Sequence, residues 1–136
     1  MSASPVIALR KAVRAILLAD GGLASALGGP AIFDEAPREA NPPYVVYGDS
    51  QTRDWSTISD HGTEQFLVID VWSLQRGMRE ALDIAARVTG LLDDQPLVLE
   101  GHHLVNFRLV AMETKREANG RFVRASLRFR AATEVS

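Results

Sequence analysis

Alternation between apolar and polar positions divides the chain into two helical segments and a set of strands. Ser4 followed by Pro5 is typical of a helix start, and apolar residues at helical spacing continue to Leu17. A second helical stripe runs from Met78 to Leu92. The main predicted strands cover residues 44–47, 63–74, 104–116 and 121–132. The pattern therefore predicts an α+β fold, a mostly antiparallel sheet of about four strands with two main helices packed on one face.

The segment from Thr63 to Leu74 is the most apolar of the predicted strands. Both of its faces carry apolar side chains, with Phe66 and Trp72 on one face and Ile69 on the other. Strands with two apolar faces are typical of positions that are covered on both sides. We therefore expect this strand at the centre of the sheet.

The last two predicted strands read as a hairpin. Asn119-Gly120 lies between them, and this dipeptide favours a tight type I′ turn. A two-residue turn would place Met112 opposite Leu127 and Val110 opposite Phe129. Apolar residues would then pair with apolar residues along one face of the hairpin.

The same register sends a second apolar set to the other face of the sheet. It comprises Phe107, Leu109 and Ala111. Because the two helices cover one face only, a monomer would expose this set as an apolar patch. Such patches usually mark protein interfaces, so the register favours oligomerisation.

Residues 48–62 form a polar segment that is longer than a tight hairpin needs. We expect it to be a long loop that projects from a single domain spanning residues 1–136. Trp55 lies inside it, next to Asp54, and a tryptophan is costly to leave in water. Either the loop folds Trp55 back onto its own domain, or Trp55 anchors in a partner. Local rules do not separate these two alternatives.

Composition narrows the classes of function. The chain of 136 residues contains no cysteine, which excludes disulfide scaffolds, thiolate metal sites and cysteine nucleophiles. Its formal net charge of -2 argues against a dedicated nucleic-acid-binding protein. No apolar run approaches the length of a membrane span, so we expect no membrane partner and synthesis in the cytoplasm.

No residue set predicts catalysis or metal binding. Adjacent strand residues such as His102 and His103 point to opposite faces, so they rarely share one ion. Asp93-Asp94 follows a helix and is interpreted as a solvated terminus. Nucleophile-elbow, phosphate-loop and dinucleotide motifs are missing from the sequence. We predict a protein that is not an enzyme, with no cofactor and no metal.

Arginines provide the single positive concentration in the sequence. Arg124, Arg128 and Arg130 alternate along the last predicted strand, with Arg121, Arg108 and Lys115 nearby. They could contact DNA phosphate or acidic residues of a neighbouring subunit, or their stems could cover apolar residues beneath them. The negative net charge favours subunit contact over DNA.

A series of short motifs occurs in a fixed order along nearly the whole chain. The first helical region ends in Leu27-Gly28, and the later motifs are Ile32-Phe33-Asp34, Pro43-Tyr44-Val45, Asp54-Trp55-Ser56-Thr57, Gly62 with Glu64, Val71-Trp72-Ser73 and Leu127-Arg128-Phe129-Arg130-Ala131. This ordered set resembles the tail completion, or tail terminator, proteins of long-tailed bacteriophages and gene transfer agents. The alanine- and arginine-rich style is most similar to the gene transfer agent branch.

The resemblance implies a structural protein of a virion or phage-like particle. Such proteins form a homohexameric ring that caps the head-proximal end of the tail tube and stops its polymerisation. The ring joins tail to neck, so the implied partners are further copies of the chain, the tail-tube protein and a neck or stopper protein. DNA would pass through the lumen without sequence-specific binding, which requires a lumen that is acidic or neutral. The expected assembly contacts are Asp54, Trp55, Arg124, Arg128 and Arg130.

Two other functions remain open at this point. A head-closure or stopper protein of the neck could share the size and the α+β character. A small ligand-binding or toxin–antitoxin-like module would need a convergent polar pocket, and the sequence indicates none.

Overall fold

A computed structural model describes residues 4–117 and 121–135, which contain three helices and five strands. In chain order these are α1 (Pro5–Ala19), α2 (Gly21–Leu27), β1 (Ile32–Phe33), β2 (Tyr44–Asp54), β3 (Gly62–Ser73), α3 (Arg79–Leu92), β4 (His102–Arg116) and β5 (Val123–Val135). The strands form one sheet in the order β1-β2-β3-β5-β4. All neighbouring pairs are antiparallel except β1 with β2.

The predicted α+β class with two main helices is confirmed, and the number of strands is corrected. The sheet has five strands rather than about four, because the short β1 (two residues) pairs with the start of β2. A third helix, α2, adds seven residues after α1. β3 lies at the centre of the sheet, as expected.

Asp20 joins the three helices. It ends α1 and caps α2, where its carboxylate accepts a hydrogen bond of 2.8 Å from the amide of Leu23. The guanidinium of Arg87 on α3 donates to the same carboxylate at 2.6 Å. This hydrogen bond is the main reason why the pKa of Asp20 lies below its usual value. The helices are therefore linked to one another as well as to the sheet.

The hydrophobic core lies between the helices and one face of the sheet. Alternate residues of β3 and β5 reach it, with Leu67 opposite Phe129 and Ile69 opposite Leu127. The helices contribute one apolar stripe each to the same core: Leu9, Val13 and Leu17 from α1, Leu23 and Leu27 from α2, and Ala81, Ile84, Ala85, Val88 and Leu92 from α3. The apolar residues that recur with period 2 along the strands and with period 3.6 along the helices therefore pack together in one core layer.

Bulges in β4 change which of its residues reach the core. Met112 lies opposite Leu127, as predicted, but Leu109 rather than Val110 lies opposite Phe129. The prediction of a Val110–Phe129 pair was wrong because β4 carries one extra residue after Leu109, which shifts the alternation. The Asn119-Gly120 turn lies outside the described residues.

The predicted apolar patch of Phe107, Leu109 and Ala111 does not form. Phe107 is buried and stacks on Phe129 with ring centroids 4.9 Å apart, and Leu109 packs against the core. The carboxylate of Asp93, at the end of α3, accepts a hydrogen bond of 2.9 Å from the amide of Leu109. The bulge therefore turns two apolar residues inward, and an argument for oligomerisation from this patch fails.

The polar segment 48–62 is mostly strand. β2 continues through Asp54 after a bulge between Tyr47 and Ser50, and it pairs with β3 up to Thr63. Only residues 55–61 connect the two strands, and these residues together with Asp54 are called the hairpin tip below. The expected long loop is therefore a long β-hairpin with a seven-residue connection.

Candidate assembly surface

The face of the sheet opposite the helices is called the helix-free face below. The register of β2, β3 and β5 shows which alternate residues of these strands lie on this face. The residues that lie on it include Tyr44, Gln51 and Arg53 of β2, Glu64, Phe66, Val68, Asp70 and Trp72 of β3, and Arg124, Ser126, Arg128 and Arg130 of β5. Aromatic residues on the central strand thus lie beside arginines on its neighbour.

Arginine side chains cover the aromatic rings of this face. The guanidinium carbon of Arg128 lies 4.3 Å from the centroid of the Phe66 ring, and that of Arg124 lies 5.5 Å from the Trp72 ring. Arg53 approaches Phe66 from β2 at 5.8 Å. Each such contact contributes roughly 0.5–1 kcal/mol at an exposed site. The stems and head groups of the arginines thereby shield apolar surface that the helices do not reach.

The three arginines of β5 differ in their charge partners. Arg130 donates to the carboxylate of Glu64 at 2.6 Å and to the side chain of Asn106 at 3.2 Å. Arg124 forms an ion pair of 3.2 Å with Glu117. Within residues 4–117 and 121–135, no carboxylate lies at ion-pair distance from Arg128. Arg128 is therefore an exposed cation near the middle of the face, and the described residues leave its charge unpaired.

Asp70 is a buried carboxylate on the same face. Its side chain accepts a hydrogen bond from the hydroxyl of Ser126, and the bulge at Gly48 in β2 lies directly against it. Burial raises the pKa of Asp70, and the hydrogen bond from Ser126 opposes this effect only in part. The centre of the face thus holds one buried acid beside one exposed base.

Trp55 folds back towards its own sheet without being covered by it. Its amide donates a hydrogen bond of 2.9 Å to the carbonyl of Gly62, and its ring lies so close to Gly62 that a Cβ there would meet the ring at 3.0 Å. The guanidinium of Arg130 lies 6.0 Å from the ring centroid. The side chain remains 40% exposed. Its own domain therefore holds Trp55 in place and leaves one side of it open.

The hairpin tip is acidic, and the apolar side chain of Ile58 is fully exposed to solvent on it. Asp54 accepts hydrogen bonds from the hydroxyl and the amide of Ser56, which hold the pKa of Asp54 below its usual range. Asp60 caps the turn by accepting, at its carbonyl, a hydrogen bond of 2.8 Å from the amide of Thr57. Ile58 at the apex is fully exposed. Neither Asp54 nor Asp60 has an ion-pair partner among the described residues.

A depression of about 370 Å³ lies beside the tip. It is lined by Asp54, Trp55, Ser56, Thr57, Asp60, Gly62 and Glu134. Three of these residues are carboxylates and one is the half-exposed tryptophan, so the depression suits a cationic side chain with an apolar stem.

The structure brings some of the expected contact residues together and separates others. Arg124, Arg128 and Arg130 share one strand and one face, and Arg130 also contacts Trp55. Asp54 lies at the tip and forms no ion pair with any of these arginines. The helix-free face and the acidic tip are therefore different surfaces, which adjoin each other where Arg130 approaches Trp55.

Sequence patterns missed the aromatic half of the face. The sequence predicts a strand covered on both sides for Phe66 and Trp72, whereas the structure places both rings beneath arginines of the neighbouring strand. The signal was present in the alternation of β3, because Phe66, Val68 and Trp72 share a parity opposite to Leu67 and Ile69. The register between β3 and β5 was needed to pair them with the arginines.

Neither a metal centre nor a membrane span is found in the part of the chain that the structure describes. No group of three histidine or carboxylate side chains converges there as metal ligands. His102 is buried and His103 is exposed, in keeping with their positions on opposite faces of β4. None of the helices in residues 4–117 and 121–135 has both the length and the hydropathy to cross a membrane.

Comparisons with known proteins find similarity to tail completion and virion proteins over most of the chain. A family model described as tail completion protein gp17 matches residues 11–134. The chain is 33% identical over 87 residues to tail completion protein gp17 of Bacillus phage SPP1, a match that spans 63% of this chain and 64% of that relative. Its structure is similar to a chain from the virion of a native gene transfer agent particle, with a TM-score of 0.88 and 31% identity over 98% of this chain and 99% of that chain.

Proposed function

Because this chain belongs to the tail completion protein gp17 family, we propose that it forms a ring that caps the head-proximal end of a tail tube. The chain is a virion component of the phage or gene transfer agent type, and its family is structural rather than enzymatic. The resemblance inferred from the sequence and the prediction of a non-enzymatic protein are thereby confirmed. The ring would stop tube polymerisation, join tail to neck and let DNA pass.

The full-length structural similarity to a chain of the gene transfer agent virion carries this proposal. A match over 98% of this chain leaves no element of substantial size without a counterpart in that virion chain.

The surfaces described above suit assembly into a ring. A ring of identical subunits closes only when one surface of each subunit fits a different surface of the next. The helix-free face and the hairpin tip are two such different surfaces, and their charges are opposite.

The distribution of the arginines supports a lumen that does not hold DNA. Arg130 and Arg124 are neutralised by Glu64 and Glu117 of their own chain. Phosphate affinity grows with the number of available cations, and paired arginines are less available to phosphate. We therefore place the helix-free face at a subunit contact, with Asp54, Trp55, Arg124, Arg128 and Arg130 as assembly contacts, and expect an acidic or neutral lumen.

A stopper of the neck is the alternative, and the neighbouring ring discriminates between the two. A terminator binds the last ring of tail-tube subunits, whereas a stopper binds an adaptor on the portal side. Immunogold labelling of intact tails and of isolated capsids would locate the chain. We expect label at the end of detached tails, and label restricted to capsids would favour the stopper. A ligand-binding or toxin–antitoxin-like module finds no support in the family match.

Electron microscopy of particles made without this chain tests the proposed function. Tubes without a terminator should grow to variable lengths and remain separate from capsids. A control strain that expresses the intact chain from a plasmid should recover tails of uniform length. Tails of normal length on capsids, in the absence of this chain, would overturn the proposal.

A further inference from the structure

We infer that the hairpin tip of one copy docks on the helix-free face of the next copy, with Ile58 seated beside Phe66 and Val68 and the tip carboxylates paired with Arg128. The occupant of the face is thus a second copy of this chain. The inference rests on the proposed function, because a closed ring requires two different surfaces that fit each other.

The apolar halves of the two surfaces are complementary. Ile58 is fully exposed at the apex of the tip, where no residue of its own chain covers it in the described structure. On the helix-free face a shallow depression of about 170 Å³ is lined by Asp49, Ser50, Gln51, Phe66, Val68 and Arg128. The protruding side chain of Ile58 is therefore complementary in shape to a depression lined by Phe66 and Val68. Seating an isoleucine there would remove its apolar area from water, which favours the contact.

The charged halves are complementary as well. Arg128 borders the depression and has a ring contact with Phe66, and no carboxylate in the described part of the chain pairs with it. Asp54 and Asp60 flank Ile58 on the tip and form no ion pair within the described residues. Docking Ile58 in the depression brings these carboxylates within reach of Arg128. The cation at the depression thus meets carboxylates of the other surface.

A single chain cannot satisfy this contact by itself. Val68 lies six residues along β3 from Gly62, where the strand leaves the tip. That rise is about 20 Å at the usual spacing of a strand. The tip must therefore reach the face of another copy, and a contact between tip and face is heterologous. Such contacts propagate from copy to copy until a ring closes.

Disulfide cross-linking tests the contact directly, because the natural chain contains no cysteine. Particles would be purified from cells that express the double variant Ile58→Cys, Val68→Cys, and then oxidised. We expect a ladder of covalent oligomers on non-reducing gels, from dimer up to the closed ring. The control Ile58→Cys, Val98→Cys places its second thiol at a fully exposed valine outside the helix-free face, and should give no ladder beyond dimers.

The outcomes separate the contact from the function. If tail ends carry the double variant and no ladder forms, the contact is wrong while the capping function stands. If the intact chain is absent from tail ends, both fail.

Charge exchange provides an independent test that does not depend on cysteine geometry. Arg128→Glu alone, and Asp60→Arg alone, should each weaken incorporation of the chain into tails by about tenfold or more. The combined variant should recover most of the loss, because the two charges exchange places across the contact. A combined variant that is as poor as, or poorer than, the single variants would contradict the pairing.

Discussion

The guanidinium of Arg128 lies 4.3 Å from the centroid of the Phe66 ring, in the middle of the sheet face that no helix covers in the described structure. Two residues further along the strand, Arg130 is bound to Glu64 at 2.6 Å. Neighbouring arginines on one face therefore have different roles. Arg130 stabilises its own domain, whereas Arg128 leaves its charge available to a partner.

This difference predicts that the same substitution has a small effect on the free energy of unfolding at Arg128 and a larger one at Arg130. Arg128→Glu should change the free energy of unfolding by less than about 1 kcal/mol, because it removes only an exposed ring contact. Arg130→Glu should cost on the order of 2 kcal/mol, because it places a second carboxylate against Glu64. Chemical denaturation of the purified variants measures both. Arg79→Glu, at an exposed helix position with a partner one turn away, controls for the change in net charge.

If Arg128→Glu proved the more destabilising of the two, the division of roles would be wrong. The same result would remove Arg128 from the list of assembly contacts, since a loss of assembly could then arise from unfolding.

The second prediction concerns Gly62, which packs so closely against Trp55 that a larger residue should destabilise the fold. A Cβ at Gly62 would lie 2.8 Å from the carbonyl oxygen of Trp55 and 3.3 Å from that of Thr133. Backbone atoms cannot rotate away as a side chain can, so Gly62→Ala should cost about 1–3 kcal/mol. Gly77→Ala is the control, because nothing lies within 4 Å of its Cβ position. Thermal unfolding of both variants should lower the Tm only for Gly62→Ala, and an equal Tm would show that the tip is not packed as described.

Asp93 stabilises the bulge that turns β4 towards the core. Its carboxylate accepts a hydrogen bond from the amide of Leu109 and forms an ion pair of 3.2 Å with Arg108. The hydrogen bond is the main reason why the pKa of Asp93 is lowered. Asp93→Ala should therefore reduce the free energy of unfolding by about 1 kcal/mol at neutral pH.

The pH dependence of this loss follows from the sign of the shift. A carboxylate whose pKa is lowered by folding stabilises the folded state above its ordinary pKa, and this contribution disappears as the pH falls through the lowered value. The difference between the intact chain and Asp93→Ala should thus shrink in acid. Denaturation curves at neutral and acidic pH test it, and a difference that grows in acid would contradict the assignment.

The charge of Asp70 should lower the stability of the fold at neutral pH, whereas that of Asp93 raises it. Burial raises its pKa, so the charged form destabilises the folded state above the raised pKa, and this penalty is relieved as the pH falls through it. Asp70→Asn keeps an acceptor for Ser126 without the charge and should raise the free energy of unfolding at neutral pH. The gain should fade as the pH approaches the ordinary range of aspartate. A variant that is less stable at neutral pH would show that the charge of Asp70 is needed by the fold.

Helix positions and the central strand could be predicted from sequence because their apolar periodicities are long and unbroken. The start of α1 at Pro5 and the apolar stripe of α3 both match the structure. The alternation of β5 likewise predicted that its arginines share one face. Uninterrupted period-2 and period-3.6 patterns translate directly into faces.

Bulges and edges set the limit of this approach. The extra residue after Leu109 moves the rest of β4 by one position relative to β5, and no residue type marks it in the sequence. Residues 48–54 are polar because β1 pairs only with the start of β2, at Val45 and Val46, which leaves the rest of β2 at the sheet edge. An exposed edge strand has no need of apolar residues, so its polar composition resembled a loop.

Complementation of a strain that lacks this chain tests the central claim, that the chain completes tails through its helix-free face. Tail lengths would be measured on electron micrographs after expression of the intact chain, Arg128→Glu or Arg79→Glu. The account predicts uniform, capsid-attached tails with the intact chain and with Arg79→Glu, and long detached tubes with Arg128→Glu. Uniform tails with a folded Arg128→Glu variant would contradict it.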